Sequence, residues 1–183
     1  MSLVYAFLAE GFEEIEALTV VDILRRADID IKTVSISDKY EVTGAHKIEV
    51  KADILFEEAD FERADVLFLP GGIPGTPNLE AHEGLRKKII EFHHKGKRLT
   101  AICAAPSIYG GLGILDGKKA TCYPGYEEKL TGAACDGAKV VTDGNITTAK
   151  GMGVAIEFGL ELVALLEGKE KADEIAEKIQ FSR

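Results

Sequence analysis

Two kinds of apolar pattern alternate along this chain. Leu3–Leu8, Val66–Leu69 and the stretch ending at Ile102 are short unbroken runs and read as buried strands. Asp30–Ser35 alternates and reads as a further strand. Between them lie segments whose apolar residues recur every three or four positions. Ile15, Leu18, Val21 and Leu24 predict a helix ending at Arg25-Arg26, begun by a turn at Gly11. Leu85, Ile89 and Phe92 predict one over Gly84–Lys95. Val154–Glu167 is a helix with Gly168 at its C′ position. Ala172, Ile175, Ala176 and Ile179 predict a final amphipathic helix. Glu41–Val50, with Thr43-Gly44 inside it, reads as a hairpin or bent edge excursion. Asp143-Gly144-Asn145 marks a hairpin between Val140–Thr142 and Ile146–Ala149. Lys119–Thr121 is a short strand candidate and Pro124–Leu130 a short helix. Repeats, linkers and low-complexity segments are absent from the sequence.

Strands alternating with helices imply an α/β domain with a largely parallel sheet covered on both faces. Ligands of such sheets bind beyond the carboxyl ends of the strands. Four strand ends here lead to Glu13–Glu16, to Gly71-Gly72, to Cys103 and to Lys150-Gly151-Met152-Gly153. A thiol, several carboxylates and glycine turns are therefore expected at one sheet edge.

Cys103 is the centre of that expectation. The strand Arg98–Ile102 runs into it, small residues follow, and Pro106 suits the first turn of a helix read as starting at Ala104. This is the logic of a nucleophile elbow with Cys in place of Ser. A helix N-terminus beside the thiol favours thiolate. An ionised carboxylate nearby opposes it, whereas a protonated one donates a hydrogen bond to it. Glu16, one residue past Ile15, points that way, while Glu13 and Glu14 suit solvated first-turn positions. Gly71-Gly72 permits close backbone approach, so its N–H groups suit a developing oxyanion. The structural alternatives are a packed core cysteine at 103 and a plain strand-ending turn at Gly71-Gly72.

Composition narrows the field. At 183 residues, 46% hydrophobic and 29% charged, the chain suits one domain spanning residues 1–183. A net charge of −9 without a basic block argues against nucleic acid or an anionic membrane as partner. The N-terminus has no basic region of a secretory signal, and an odd set of three cysteines suits a reducing compartment, expected to be the cytoplasm. Gly151-Met152-Gly153 lacks the third glycine of a dinucleotide fingerprint. His93-His94 reads as a solvated face, His46 and His82 fall in loop or edge contexts, and no spacing suggests zinc. Neither cofactor nor metal is expected.

The stretches Leu8–Glu16, Val21–Ala27, Leu69–Gly72, Ala101–Pro106 and Lys150–Gly153 together resemble the ThiJ/PfpI superfamily, in particular the branch of the parkinsonism-associated deglycase and its bacterial homologues. The resemblance implies a flavodoxin-like three-layer sandwich and a homodimer. It implies that Cys103 is an oxidisable nucleophile and Glu16 its carboxyl partner. Gly71, Gly72 and Ala104 would supply backbone donors, with Tyr123 and Gly151 also at the pocket. Three positions depart from the pattern. The peptidase-like branch has histidine where this chain has Ala104, which disfavours a peptidase or amidase. The parkinsonism branch has histidine where Tyr123 stands, so a third member is missing or Tyr123 replaces it as donor. Met152 stands where proline is usual. The implied functions are a deglycase or cofactor-independent glyoxalase acting on small aldehydes or glycated substrates, or a peroxide-sensing, protective or chaperone-like protein using the same cysteine without turnover.

Overall fold

The computed structural model describes residues 2–182. Its centre is a seven-stranded sheet of β1 (Leu3–Leu8), β2 (Asp30–Ser35), β5 (Ile54–Leu55), β6 (Val66–Leu69), β7 (Arg98–Ile102), β8 (Val140–Asp143) and β9 (Ile146–Ala149), in the order β5-β2-β1-β6-β7-β9-β8. Every pairing is parallel except β8 with β9, the hairpin marked by Asp143-Gly144-Asn145. A separate antiparallel pair, β3 (Glu41–Thr43) with β4 (Glu49–Lys51), is the expected hairpin over residues 41–50.

The apolar runs are unbroken because the sheet is covered twice. All six residues of β1 are buried. Leu3, Tyr5 and Phe7 pack with α3 (Glu83–His94) and α4 (Pro106–Gly111). Val4 and Ala6 pack with α1 (Glu14–Arg26), α5 (Ala155–Glu167) and α6 (Lys169–Lys178). Successive strand residues serve opposite layers, as the period of two requires. This is the three-layer α/β sandwich expected from the sequence.

Several local expectations change. Lys119–Thr121 forms no strand, and only an isolated bridge joins Lys119 to Ala134. Pro124–Leu130 contains a 3-10 turn, Glu127–Lys129, rather than an α-helix. The helix after Cys103 begins at Pro106, since Ala104 and Ala105 complete the turn. Residues Met152–Val154 form a 3-10 turn before α5. A helix the periodicity did not announce, α2 (Gly75–Ala81), carries Pro77 in its first turn, where its missing N–H breaks no helical bond.

On α1 the apolar face is rotated from the expected one. Ile15 is 52% exposed, while Glu16 is fully buried with Ala17, Val20 and Leu24. Glu13 and Glu14, expected in solvent, are buried as well, because the β3–β4 hairpin closes over the start of the helix. Among the described residues no helix is long and apolar enough to cross a membrane.

Candidate active site

Cys103 sits where β7 stops. Its φ of 66° lies in the left-handed region, which costs a non-glycine residue roughly 1–3 kcal/mol. The neighbouring strand and loop hold it there. The Cys103 N–H donates to the Ala149 carbonyl at 2.9 Å, and the Cys103 carbonyl accepts from the Tyr123 N–H at 2.8 Å. The elbow read from the apolar run and small residues is therefore present, with its thiol half-buried.

Glu16 reaches this thiol from the first turn of α1. One carboxylate oxygen, Oε2, accepts the Gly71 N–H at 2.9 Å. The other, Oε1, is buried and has no hydrogen-bond partner among the described residues. The Cys103 side chain and the Met152 backbone are near enough to favour its charged form, although neither completes a hydrogen bond to Oε1. Burial outweighs them and raises the Glu16 carboxyl to about 7.

The thiol moves opposite to the sequence expectation. Burial, the Glu16 charge and the closeness of the Glu16 carboxylate to the sulfur raise Cys103 to about 12, against the pull of the nearby Ala104 and Gly72 N–H groups. Cys103 and Glu16 thus behave as one dyad that loses its first proton near neutrality and resists losing the second. The resting form above pH 7 has one proton between sulfur and carboxylate. Forming a thiolate from this state requires the proton to pass to Glu16.

The expected pocket residues divide by role. The Gly72 and Ala104 N–H groups lie near enough to the sulfur to favour its charged form. Gly71 adds no such group, because Glu16 takes its N–H, and serves instead as the spacer of the dyad. A Cβ on Gly71 would stand 2.6 Å from both Cys103 Cβ and Glu16 Oε2. Gly151 lies beside the Tyr123 ring and 3.9 Å from Glu16 Oε1, measured from an ideal Cβ. Tyr123 is 49% exposed, and its hydroxyl bonds no described residue. Its backbone supports Cys103, so the expected third donor is not supplied by its side chain. Next to the dyad, a cleft of ≈ 310 Å³ is lined by Tyr123, Pro124, Lys150, Gly151, Met152 and Val154. The histidines serve elsewhere: His82 accepts the Leu85 N–H as the cap of α3, and His46 meets Glu14.

A strained cysteine at a strand end, a buried glutamate from the first helix and a double-glycine turn between them coincide with a family-wide match over residues 2–165. The chain belongs to the DJ-1/PfpI family. It is 40% identical over 173 residues to DJ-1 homolog B of Arabidopsis thaliana, covering 92% of this chain and 39% of that protein. The chain thus spans about two-fifths of the length of that plant relative. A deglycase of Pyrococcus abyssi is 30% identical, with 87% of this chain and 96% of that protein covered. The fold superposes on the C103A mutant of a DJ-1 superfamily protein from Salmonella typhimurium with a TM-score of 0.95, at 33% identity and full coverage of both chains. Within this DJ-1/PfpI frame the side chains missed by sequence reasoning are Glu13 and Glu14, whose burial depends on a hairpin 32 residues away from Glu14.

Proposed function

We propose that this DJ-1/PfpI protein converts small dicarbonyls, free or as adducts, into hydroxy acids by a cofactor-free cysteine mechanism. The observation that carries the reading is the Glu16 carboxylate, buried beside the Cys103 side chain with its Oε1 lacking a donor. A carboxylate so placed accepts a proton readily. Sulfur adds to the aldehyde carbon, the S–H proton goes to Glu16, and the carbonyl electron pair becomes an alkoxide that takes a proton to give a hemithioacetal. Glu16 removes the proton from the former aldehyde carbon and returns one to the neighbouring ketone carbon, leaving a thioester. Water hydrolyses it to a 2-hydroxy acid and restores the thiol, so methylglyoxal plus water becomes lactate. The Gly72 and Ala104 N–H groups are suited to the charge that develops near sulfur. The deglycase name of the archaeal relative supports this substrate class.

The purified chain is expected to turn methylglyoxal over to lactate, and Cys103→Ala to abolish that turnover. Absence of turnover in the wild type, or equal turnover in the variant, overturns the reading. A second reading has support in the same two N–H donors: Cys103 is oxidised to a sulfinate held by Gly72, Ala104 and a protonated Glu16. Stoichiometric gain of two oxygens at Cys103 under peroxide, with no dicarbonyl turnover, selects it. The full proposal includes a cytoplasmic homodimer, which sedimentation equilibrium tests for its oligomeric part.

A further inference from the structure

Beside the dyad lies the cleft of ≈ 310 Å³ that neither Cys103 nor Glu16 lines. Its side-chain walls are largely apolar: the Tyr123 ring, Pro124, Met152 and Val154. Tyr123 and Met152 remain 49% and 44% exposed, so two large side chains are held partly in water at its edge. Lys150 is the one charged residue of the described lining, and its Nζ lies 3.5 Å from the Gly137 carbonyl. Such walls suit carbon rather than charge.

Backbone contacts tie these walls to the reacting groups. The Tyr123 N–H donates to the Cys103 carbonyl at 2.8 Å, and the Tyr123 carbonyl accepts the Tyr126 N–H at 3.0 Å, which fixes the ring's base on both sides. The Met152 backbone lies near enough to Glu16 to favour its charged form. Gly151 stands between them. A Cβ there would lie 3.3 Å from Tyr123 Cδ2 and 3.9 Å from Glu16 Oε1, the buried oxygen without a donor. One point of backbone therefore faces both the ring and the carboxylate. With φ 163° and ψ −173°, Gly151 is extended, a conformation open to any residue, so the turn itself does not call for glycine. What the missing side chain provides is space between the cleft and the dyad.

We propose that this cleft seats a flat apolar substituent on the carbonyl compound that Cys103 attacks, so that aryl dicarbonyls such as phenylglyoxal are better substrates than methylglyoxal; the substrate part rests on the dicarbonyl chemistry proposed for Cys103. A phenyl ring packs against the Tyr123 ring and the Met152 thioether, both favourable partners for an aromatic group. A methyl group leaves these surfaces in water and gains nothing from them. The bonds made and broken are those of the smaller substrate. Sulfur adds to the aldehyde carbon, the ketone carbon bearing the ring receives the proton, and water releases the thioester, so phenylglyoxal plus water becomes mandelate.

Two measurements on the full chain test this, one of them independent of turnover. Iodoacetamide and iodoacetanilide present the same reacting carbon, from which a thiolate displaces iodide, and differ by a phenyl ring. Their rate ratio is read by mass spectrometry at Cys103 and, as a reference in the same molecule, at the exposed Cys135. The anilide-to-amide ratio at Cys103 is expected to exceed that at Cys135 by at least about tenfold, and kcat/KM for phenylglyoxal to exceed that for methylglyoxal by a similar factor. Tyr123→Ala and Met152→Ala, which keep the backbone contacts, should each bring both preferences down towards parity. A Cys103 ratio no higher than that of Cys135, or preferences unchanged in both variants, overturns the cleft assignment. Turnover of methylglyoxal without turnover of phenylglyoxal also overturns it and upholds the dicarbonyl chemistry. A raised Cys103 ratio with turnover of neither compound does the reverse: the cleft stands and the dicarbonyl chemistry falls.

Discussion

Glu16→Gln is expected to make the protein more stable above neutral pH and its cysteine much less reactive. The stability half follows from burial. Glu16 in the folded chain ionises at about 7, against an ordinary value of 4.5. Below the lower value both states hold the proton and the group contributes no difference. Between the two values the folded state keeps a proton that the unfolded state releases, so stability falls as pH rises. Above 7 the loss is complete, and a difference of this size corresponds to about 3 kcal/mol. Glutamine cannot ionise and escapes that loss. Urea unfolding of both proteins should therefore show the variant gaining on the wild type by most of that amount between pH 4.5 and 8. A stability gap constant across this range contradicts the buried-carboxylate account.

The reactivity half has the opposite sign. Alkylation of Cys103 by iodoacetamide, resolved by site through mass spectrometry, should rise in the wild type as the dyad loses its first proton near pH 7. Glutamine leaves the thiol without a base and still buried. The alkylation rate at pH 7.5 is expected to fall roughly 100-fold. An unchanged rate and pH profile in Glu16→Gln would remove Glu16 from the chemistry. Stability and reactivity moving in opposite directions is the mark of a group kept for function at a structural cost.

The same balance explains which parts of the site could be read from the chain. Cys103 stood out because its cues are local: an apolar strand, a cysteine at its end, small residues and Pro106 to begin a helix. The convergence of β1, β6, β7 and β9 followed from topology, since parallel strands carry their ends to one edge. Glu16 was half legible. Helical spacing placed Ile15 on the buried face, yet Ile15 is outside and Glu16 inside. Hydrophobicity alone gives the wrong order there, because a carboxylate occupies a core position. Glu13 and Glu14 carried no local cue, since their burial comes from residues 41–51 folding over them. The direction of the Cys103 shift was equally hidden. A helix start argues for thiolate, but burial and the adjacent carboxylate are stronger and depend on three-dimensional closeness.

Substitutions in the double-glycine turn should separate chemistry from folding. A methyl group on Gly71 would press on side chains of the dyad: Cys103 Cβ and Glu16 Oε2 at 2.6 Å, and Cys103 Sγ at 3.1 Å. A methyl group on Gly72 would press on main chain instead, the Glu13 nitrogen at 2.4 Å and the Gly11 oxygen at 2.6 Å, from a residue at φ 98°. Side chains yield by rotating, whereas hydrogen-bonded backbone does not. The Glu13 nitrogen also donates to the Gly71 carbonyl at 2.9 Å, which ties the turn to the start of α1. Gly71→Ala is therefore expected to fold with a loss of roughly 1–3 kcal/mol, the usual scale for overpacking, while its Cys103 alkylation and dicarbonyl turnover fall to near background. Gly72→Ala adds backbone strain to a backbone clash and should lose more stability than Gly71→Ala, by an amount that urea unfolding of the pair measures. Wild-type alkylation in Gly71→Ala would show that sulfur and carboxylate can part without consequence, and the dyad would then be an accident of packing. Background alkylation in a folded Gly71→Ala, alongside a Gly72→Ala that unfolds earlier, assigns adjacent glycines to different tasks: one sets the distance between two reacting groups, and the other lets the chain turn.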